Sequence, residues 1–262
     1  MDWYTGNRVY DTVLTLAFII PILTVIGDVF VKTSYGRFGS KKFAMDPRVG
    51  WFLMELPATV VFIGFFVMGT RRGELVPIIL CAIWLIHYSN RGWYFPLHIR
   101  VNKSERRSFG LSILLIGMLV TVAHGFLNAT FFTDYGKHFT NDWLTDPRFI
   151  IGVIVYYFGF FLTIHSERVV RNLRDPKTHW TDEVEYKIPY GGGYKYVSSP
   201  TYLGEIIAWT GFALLTWSMA GVLILCITAA NLIPRAFSTH KWYKDKFEDY
   251  PKERKALIPF IV

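Results

Sequence analysis

The sequence predicts an all-α, multi-pass membrane protein of seven transmembrane helices, with its N-terminus outside and its C-terminus in the cytoplasm. Three observations carry that reading. Of the 262 residues, 52% are hydrophobic and only 18% are charged, where a soluble domain carries about 25% charge. The apolar residues fall into seven runs, at 10–31, 50–69, 75–97, 109–132, 148–165, 201–218 and 219–234, each about long enough to cross a bilayer with some tilt. Lysine and arginine alternate between the connections. Segments 32–48, 100–107, 168–195 and 235–262 hold 22 of them, while the other connections hold five, Arg8, Arg71, Arg72, Lys137 and Arg148. Basic residues mark the cytoplasmic side, and an odd number of spans requires opposite ends. Charge and count agree.

The elements follow in order. The first run has no basic leader and no small-residue cleavage site behind it, so it reads as a retained helix and not a signal peptide. The second is interrupted by Glu55, about five residues or ~8 Å inside the cytoplasmic face. The third ends in H-Y-S-N-R at 87–91, which places Tyr88, with His87, Asn90 and Arg91, in its cytoplasmic half. The fourth carries His124 and Asn128, read as exceptions on the outer half. His165 and Glu167 end the fifth run. The connection from 167 to 200 contains Asp-Pro, Ile-Pro and Gly191–Gly193, the marks of a loop with unusual backbone angles. Glu205 opens the sixth run, W-S-M-A-G makes a tight hairpin to the seventh, and Arg235 closes it. The chain from 1 to 262 reads as one membrane domain, with loops 32–49, 98–108 and 166–200 and the tail 235–262 on one side.

Function is bounded by what is missing. Cys81 and Cys226 lie inside apolar runs, so neither a disulfide framework nor a cysteine metal site can be built. The histidines lack the pairings of a di-iron site. No dinucleotide fingerprint, Walker loop or nucleophile elbow is present. The net charge of +8 sets topology here, and no nucleic-acid partner or metal is expected.

Taken singly, each polar residue has an ordinary reading. Glu55 is a carboxylate snorkelling to the interface, Tyr88 a belt aromatic, and the glycine triplet a turn. Their convergence at one depth shifts the balance, because ionisable groups inside a membrane are usually functional. The layout implies a membrane cavity opening to a basic cytoplasmic rim. Such a rim suits a phosphate-bearing ligand, and the cavity a lipid-like one.

Eight ordered motifs then identify a resemblance. The C-terminal run R-A-F-S-T-H-K-W-Y-K-D-K-F-E-D-Y-P-K-E-R-K-A-L-I-P-F-I-V closely resembles the end of steroid 5α-reductases, also called 3-oxo-5α-steroid 4-dehydrogenases. So do I-H-S-E-R-V-V-R-N-L-R (164–174), I-P-Y-G-G (188–192), Y-V-S-S-P-T-Y-L-G-E-I-I (196–207) and A-L-L-T-W-S (213–218). S-Y-G-R (34–37), E-L-P (55–57) and H-Y-S-N-R (87–91) match in order and spacing. The resemblance implies a seven-span enzyme that binds NADPH from the cytoplasmic side and reduces the C4–C5 double bond of a 3-oxo-Δ4-steroid. Glu55 and Tyr88 would hold the 3-keto oxygen and Trp209 would face the nicotinamide or substrate. Tyr35, Arg37, Arg100, His165, Glu167, Arg171, Arg174, Lys187, Thr201, Glu205, Arg235 and Tyr243 would line the NADPH site. Thr163 and Thr201 stand where the animal enzymes tend to have Asn, S-T-H at 238–240 replaces a run of His, and loop 175–185 is longer.

The chemistry fits. Hydride attack on the β-carbon of an enone drives negative charge onto the carbonyl oxygen, which a hydrogen-bond donor stabilises. The expected partners are a steroid and membrane lipids, and the expected state is monomeric. The expected membrane is the endoplasmic reticulum in a eukaryote or the inner membrane in a bacterium. The rival readings are an enoyl-CoA or polyprenol-type reductase of the same superfamily, or a proton-coupled transporter, which would be expected to show repeats and broken helices.

Overall fold

The computed structural model describes residues 4–30, 43–175, 177 and 186–262. Its helices form seven rods. The first is α1 (Arg8–Ala17) with α2 (Ile19–Phe30), and the second is α3 (Pro47–Met68). The third joins α4 (Leu75–Tyr88), a π-helical stretch (Ser89–Tyr94) and α5 (Phe95–His98). Then come α6 (Leu111–Thr130), α7 (Pro147–Leu173), α8 (Pro200–Thr216) and α9 (Met219–Lys246). Among the described residues the one sheet is a two-residue antiparallel pair, Ala44–Met45 with Phe109–Gly110, which ties the start of α3 to the start of α6.

The tripeptide Asp-Pro-Arg starts two of these helices. Asp46 and Asp146 each accept the backbone N–H of the arginine two residues on, and each also accepts from that arginine's guanidinium. Proline at the first helical position completes the start signal.

Among the described residues, six helices are long and apolar enough to cross a membrane: Arg8–Gly27, Pro47–Met68, Leu75–His98, Leu111–Tyr135, Pro147–Leu173 and Met219–Lys246. The sequence predicted seven. The seventh, α8, is present but has 17 residues, about 26 Å at helical rise, a little short of a ~30 Å hydrocarbon core. Pro200 opens it, and Trp217, in the left-handed region at φ 45°, closes it. Its length is met by packing in place of lipid.

That packing is close. Gly152 and Gly159 of α7 face Gly211 and Gly204 of α8, and a Cβ on Gly211 would lie 2.7 Å from the Gly152 carbonyl oxygen. Only hydrogen at these positions lets the two backbones approach. The seam fixes where α8 presents Glu205 and Trp209. Around it Trp84, Phe62, Phe132, Tyr156 and Phe212 form a buried aromatic core, in which Phe62 stacks on Trp84 at 4.7 Å. Leu115, Ile116 and Leu119 of α6, with Ile154, Phe158 and Phe161 of α7, remain exposed, as lipid-facing side chains do.

Two helices overrun their apolar runs. α7 continues to Leu173 and α9, through Pro234, to Lys246, where the predicted ends were 165 and 234. At the opposite end Arg148 lies between the Trp143 and Trp217 rings, 4.6 and 4.9 Å from their centroids. Trp143 Nε1 donates to the Leu215 carbonyl at 3.0 Å, closing that end over α8.

Candidate active site

Two cavities use the π-helical stretch as a wall. One, of about 460 Å³, is mostly apolar and is lined by α2, α3, α4, α6, α8 and α9. The other, of about 880 Å³, is lined by Arg48, Asn90, Arg100, Glu167, Arg168, Arg171 and Asn172 among others. Consecutive residues serve different cavities: Asn90 lines the polar one and Arg91 the apolar one.

The apolar cavity holds a compact set of charges. Glu55, in the middle of α3, is 5% exposed. Arg91 Nε donates to its Oε1 at 3.1 Å, while Arg91 Nη1 lies 3.6 Å from Glu205 Oε1. Trp209 Nε1, one turn beyond Glu205, donates to Glu205 Oε2 at 3.2 Å. The Arg91 guanidinium also stands 5.0 Å over the Trp51 ring. One arginine therefore serves two buried carboxylates, and a charge so buried demands such a partner. Gly92 eases the approach, because a Cβ there would sit a tight 3.3 Å from the Glu55 Cβ.

Tyr88 is buried against Trp84, and its hydroxyl lies 2.9 Å from His124 Nε2. This corrects the placement of His124 away from the converging group. α4 continues through the π-helical stretch and α5 to His98, so Tyr88 lies ten residues from that end. His124 lies thirteen residues into Leu111–Tyr135. Both sit near the middle of their spans. His87 points elsewhere: its Nδ1 is 3.2 Å from the Tyr156 hydroxyl and its ring is 4.4 Å from Trp209.

The residues that the resemblance assigned to the cofactor are distributed as follows. Arg100, Glu167 and Arg171 line the polar cavity. Glu205 lines the apolar cavity with Glu55, Tyr88 and Trp209. Arg174 pairs with Glu105 at 2.6 Å and donates to the Arg100 carbonyl, and Arg100 in turn donates to the Arg174 carbonyl. This reciprocal clasp ties the 99–105 connection to the end of α7. His165 lies against Gly192, which with Gly191 takes positive φ, 52° and 89°. The unusual backbone angles predicted for this loop are present. Thr201 is the second residue of α8, and its carbonyl accepts from Thr163 Oγ1 at 3.4 Å, so the two positions that depart from the animal pattern touch. The Tyr194 hydroxyl is 3.5 Å from Thr201 Oγ1, and burial pushes the Tyr194 phenol up. Tyr243 stacks on Tyr250 at 5.4 Å in a cluster with Ile188. Lys187 is exposed and Arg235 half-buried beside Pro234. Tyr35, Arg37 and most of loop 175–185 lie outside the described residues.

Sequence reasoning gave Arg91, Asn90, His124 and Glu105 no role. Arg91 had a signal, as the one basic residue inside a span. His124 had none, since its partner comes from another helix. Among the described residues no cluster could hold a metal ion.

Comparison with known proteins agrees with the motifs. Residues 107–262 match the family model described as 3-oxo-5-alpha-steroid 4-dehydrogenase. The chain is 36% identical over 256 residues to 3-oxo-5-alpha-steroid 4-dehydrogenase 1 of Mus musculus, covering 96% of each. It is 34% identical over 261 residues to a steroid 5-alpha-reductase of Solanum lycopersicum, covering 98% of each. With 3-oxo-5-alpha-steroid 4-dehydrogenase 2 of Sus scrofa it shares 39% over 235 residues, 87% of this chain and 88% of that one. Motifs, matched length and helical architecture agree: the chain belongs to the 3-oxo-5-alpha-steroid 4-dehydrogenase family.

Proposed function

We propose that this protein reduces the C4–C5 double bond of 3-oxo-Δ4-steroids to 5α-dihydro-3-oxosteroids, using NADPH bound from the cytoplasmic side. The observation that carries the reading is that Tyr88 and Glu55 line the same mostly apolar cavity of about 460 Å³, within the ~300–1,000 Å³ range of small-molecule sites. A steroid enone is apolar except at its keto end, and the mostly apolar lining includes Glu55, Tyr88 and Arg91.

The donor set of the larger cavity fits a dinucleotide phosphate. Arg100, Arg168 and Arg171 supply guanidinium groups and Asn90 and Asn172 amides, while Arg48 is held by Asp46 and Glu167 is the one carboxylate in the lining. Bound there, NADPH would supply the hydride. The rest falls to the protein. Tyr88 donates its single hydrogen to the 3-keto oxygen as negative charge develops on it. Glu55, held by Arg91, shares the same polar end. Trp209, anchored to Glu205, keeps one face of the cavity dry and flat. Arg91, inside the apolar cavity, fixes both carboxylates while the charge shifts.

The test is single-turnover reduction of a 3-oxo-Δ4-steroid by NADPH-loaded protein. Tyr88→Phe keeps the ring and removes the donor, and the loss of one such donor costs roughly a hundred- to a thousandfold in rate. NADPH affinity should not change. Reduction at the wild-type rate would make Tyr88 a packed aromatic and end this reading. An enoyl thioester run in parallel separates the steroid reading from that of an enoyl-CoA reductase.

A further inference from the structure

We infer that His124 is a positioning residue whose Nε2–H donates to the Tyr88 oxygen and thereby frees the Tyr88 hydrogen for the substrate. This rests on Tyr88 being the donor to the keto group. The geometry is a 2.9 Å contact between Tyr88 Oη and His124 Nε2, with both residues buried.

A phenol has one hydrogen, and a neutral imidazole has one N–H and one bare nitrogen. The contact therefore has two forms. If the imidazole proton sits on Nδ1, Nε2 is the acceptor and the Tyr88 hydrogen points into it, away from any substrate. If it sits on Nε2, the histidine donates and the Tyr88 hydrogen is free to turn towards the cavity. Only the second form can serve reduction. It also strengthens the donor, since a phenol that accepts a hydrogen bond donates more strongly.

Among the described residues, the other ionisable groups near Tyr88 are engaged elsewhere. His87 is engaged by the Tyr156 hydroxyl, Glu205 by Trp209 and Arg91, and Glu55 by Arg91. With NADPH held in the polar cavity as the hydride source, reduction at the β-carbon would place enolate charge on the keto oxygen. Tyr88 keeps its proton and donates a hydrogen bond to that oxygen, His124 Nε2–H holds the phenol oxygen, and the proton that completes the reduction is taken up at the α-carbon from solvent. His124 itself gives up no proton.

The experiment combines three variants with a vibrational probe. The carbonyl stretch of a 3-oxo-Δ4-steroid bound without cofactor reports the hydrogen bond from Tyr88 directly. His124→Leu should move that stretch towards its position in Tyr88→Phe and slow single-turnover reduction about tenfold, the rate equivalent of one neutral hydrogen bond. His124→Gln, whose amide nitrogen reaches the place of Nε2, should restore both. In a Tyr88→Phe background His124→Leu should add nothing. A wild-type stretch and rate in His124→Leu, with Tyr88→Phe still slow, would overturn the role of His124 alone. A wild-type rate in Tyr88→Phe would overturn the Tyr88 reading instead. Should His124→Leu not fold, ¹⁵N resonances of the imidazole in the wild-type protein decide the matter: the Nδ1–H tautomer refutes the inference, and the Nε2–H tautomer supports it.

Discussion

Arg91→Met keeps an unbranched, largely apolar side chain and removes a guanidinium that serves two buried carboxylates. Glu55 and Glu205 are 5% and 6% exposed, and their oxygens lie 3.1 and 3.6 Å from Arg91 nitrogens. At an effective dielectric of 20 each attraction is about 5 kcal/mol, much of it offset by desolvation. Removing one partner of a buried pair costs about 3–5 kcal/mol, because the charge left behind has no counter-ion. At ~2–4 °C per kcal/mol for a chain of this size, the unfolding midpoint should fall by roughly 6–20 °C. The assay is thermal unfolding in detergent micelles, followed by tryptophan fluorescence. The triple variant Arg91→Met, Glu55→Gln, Glu205→Gln should recover most of the loss, since it removes the stranded charges too. A single variant melting with the wild type would refute the reasoning. So would a triple variant no more stable than the single one.

Three further outcomes are expected. Gly211→Leu should prise α8 from α7 and lower stability by about 1–3 kcal/mol or more, while Leu225→Ala on the neighbouring α9 should cost less than Gly211→Leu; equal melting of Gly211→Leu and wild type would dissolve the glycine seam as a constraint. Arg171→Ala, which removes a guanidinium from the polar cavity, should weaken NADPH binding, most at low salt where charge is least screened, and unchanged affinity would take Arg171 out of the cofactor site. Cysteines placed singly at Tyr4 and Ile258 should label from opposite sides of sealed vesicles, and labelling from one side would defeat the seven-span topology.

The sequence located the rods because lipid-crossing segments must be apolar, and it found Glu55 because a carboxylate interrupts one. It misjudged the ends of α7 and α9 for the same reason. Past Ile164 and Pro234 both helices leave the apolar layer, and Arg168, Arg171, Lys241 and Lys244 ride on helical backbone that a hydropathy criterion reads as loop. The break at Phe18 and the π-helical stretch leave no apolar signature at all. In the candidate site, Tyr88 and Glu55 were legible through short motifs. His124 was not, because its relation to Tyr88 spans 36 residues of sequence and exists only once α4 and α6 pack. Arg174 was read as lining the NADPH site without sight of Glu105, whose ion pair with it also depends on the folded connection.

The π-helical stretch holds one residue more than an α-helix would use to turn through the same angle. Six residues at its slower rotation cover about what five cover in an α-helix. Dropping one residue between Ser89 and Tyr94 would therefore let Leu75–His98 run as an ordinary helix with both flanks facing as they do now. The loss would fall inside the stretch, where Asn90 serves the polar cavity and Arg91 the apolar one. With five places for six residues, one cavity would lose its side chain. Such a deletion should leave the rod intact and spoil the wall between the two sites.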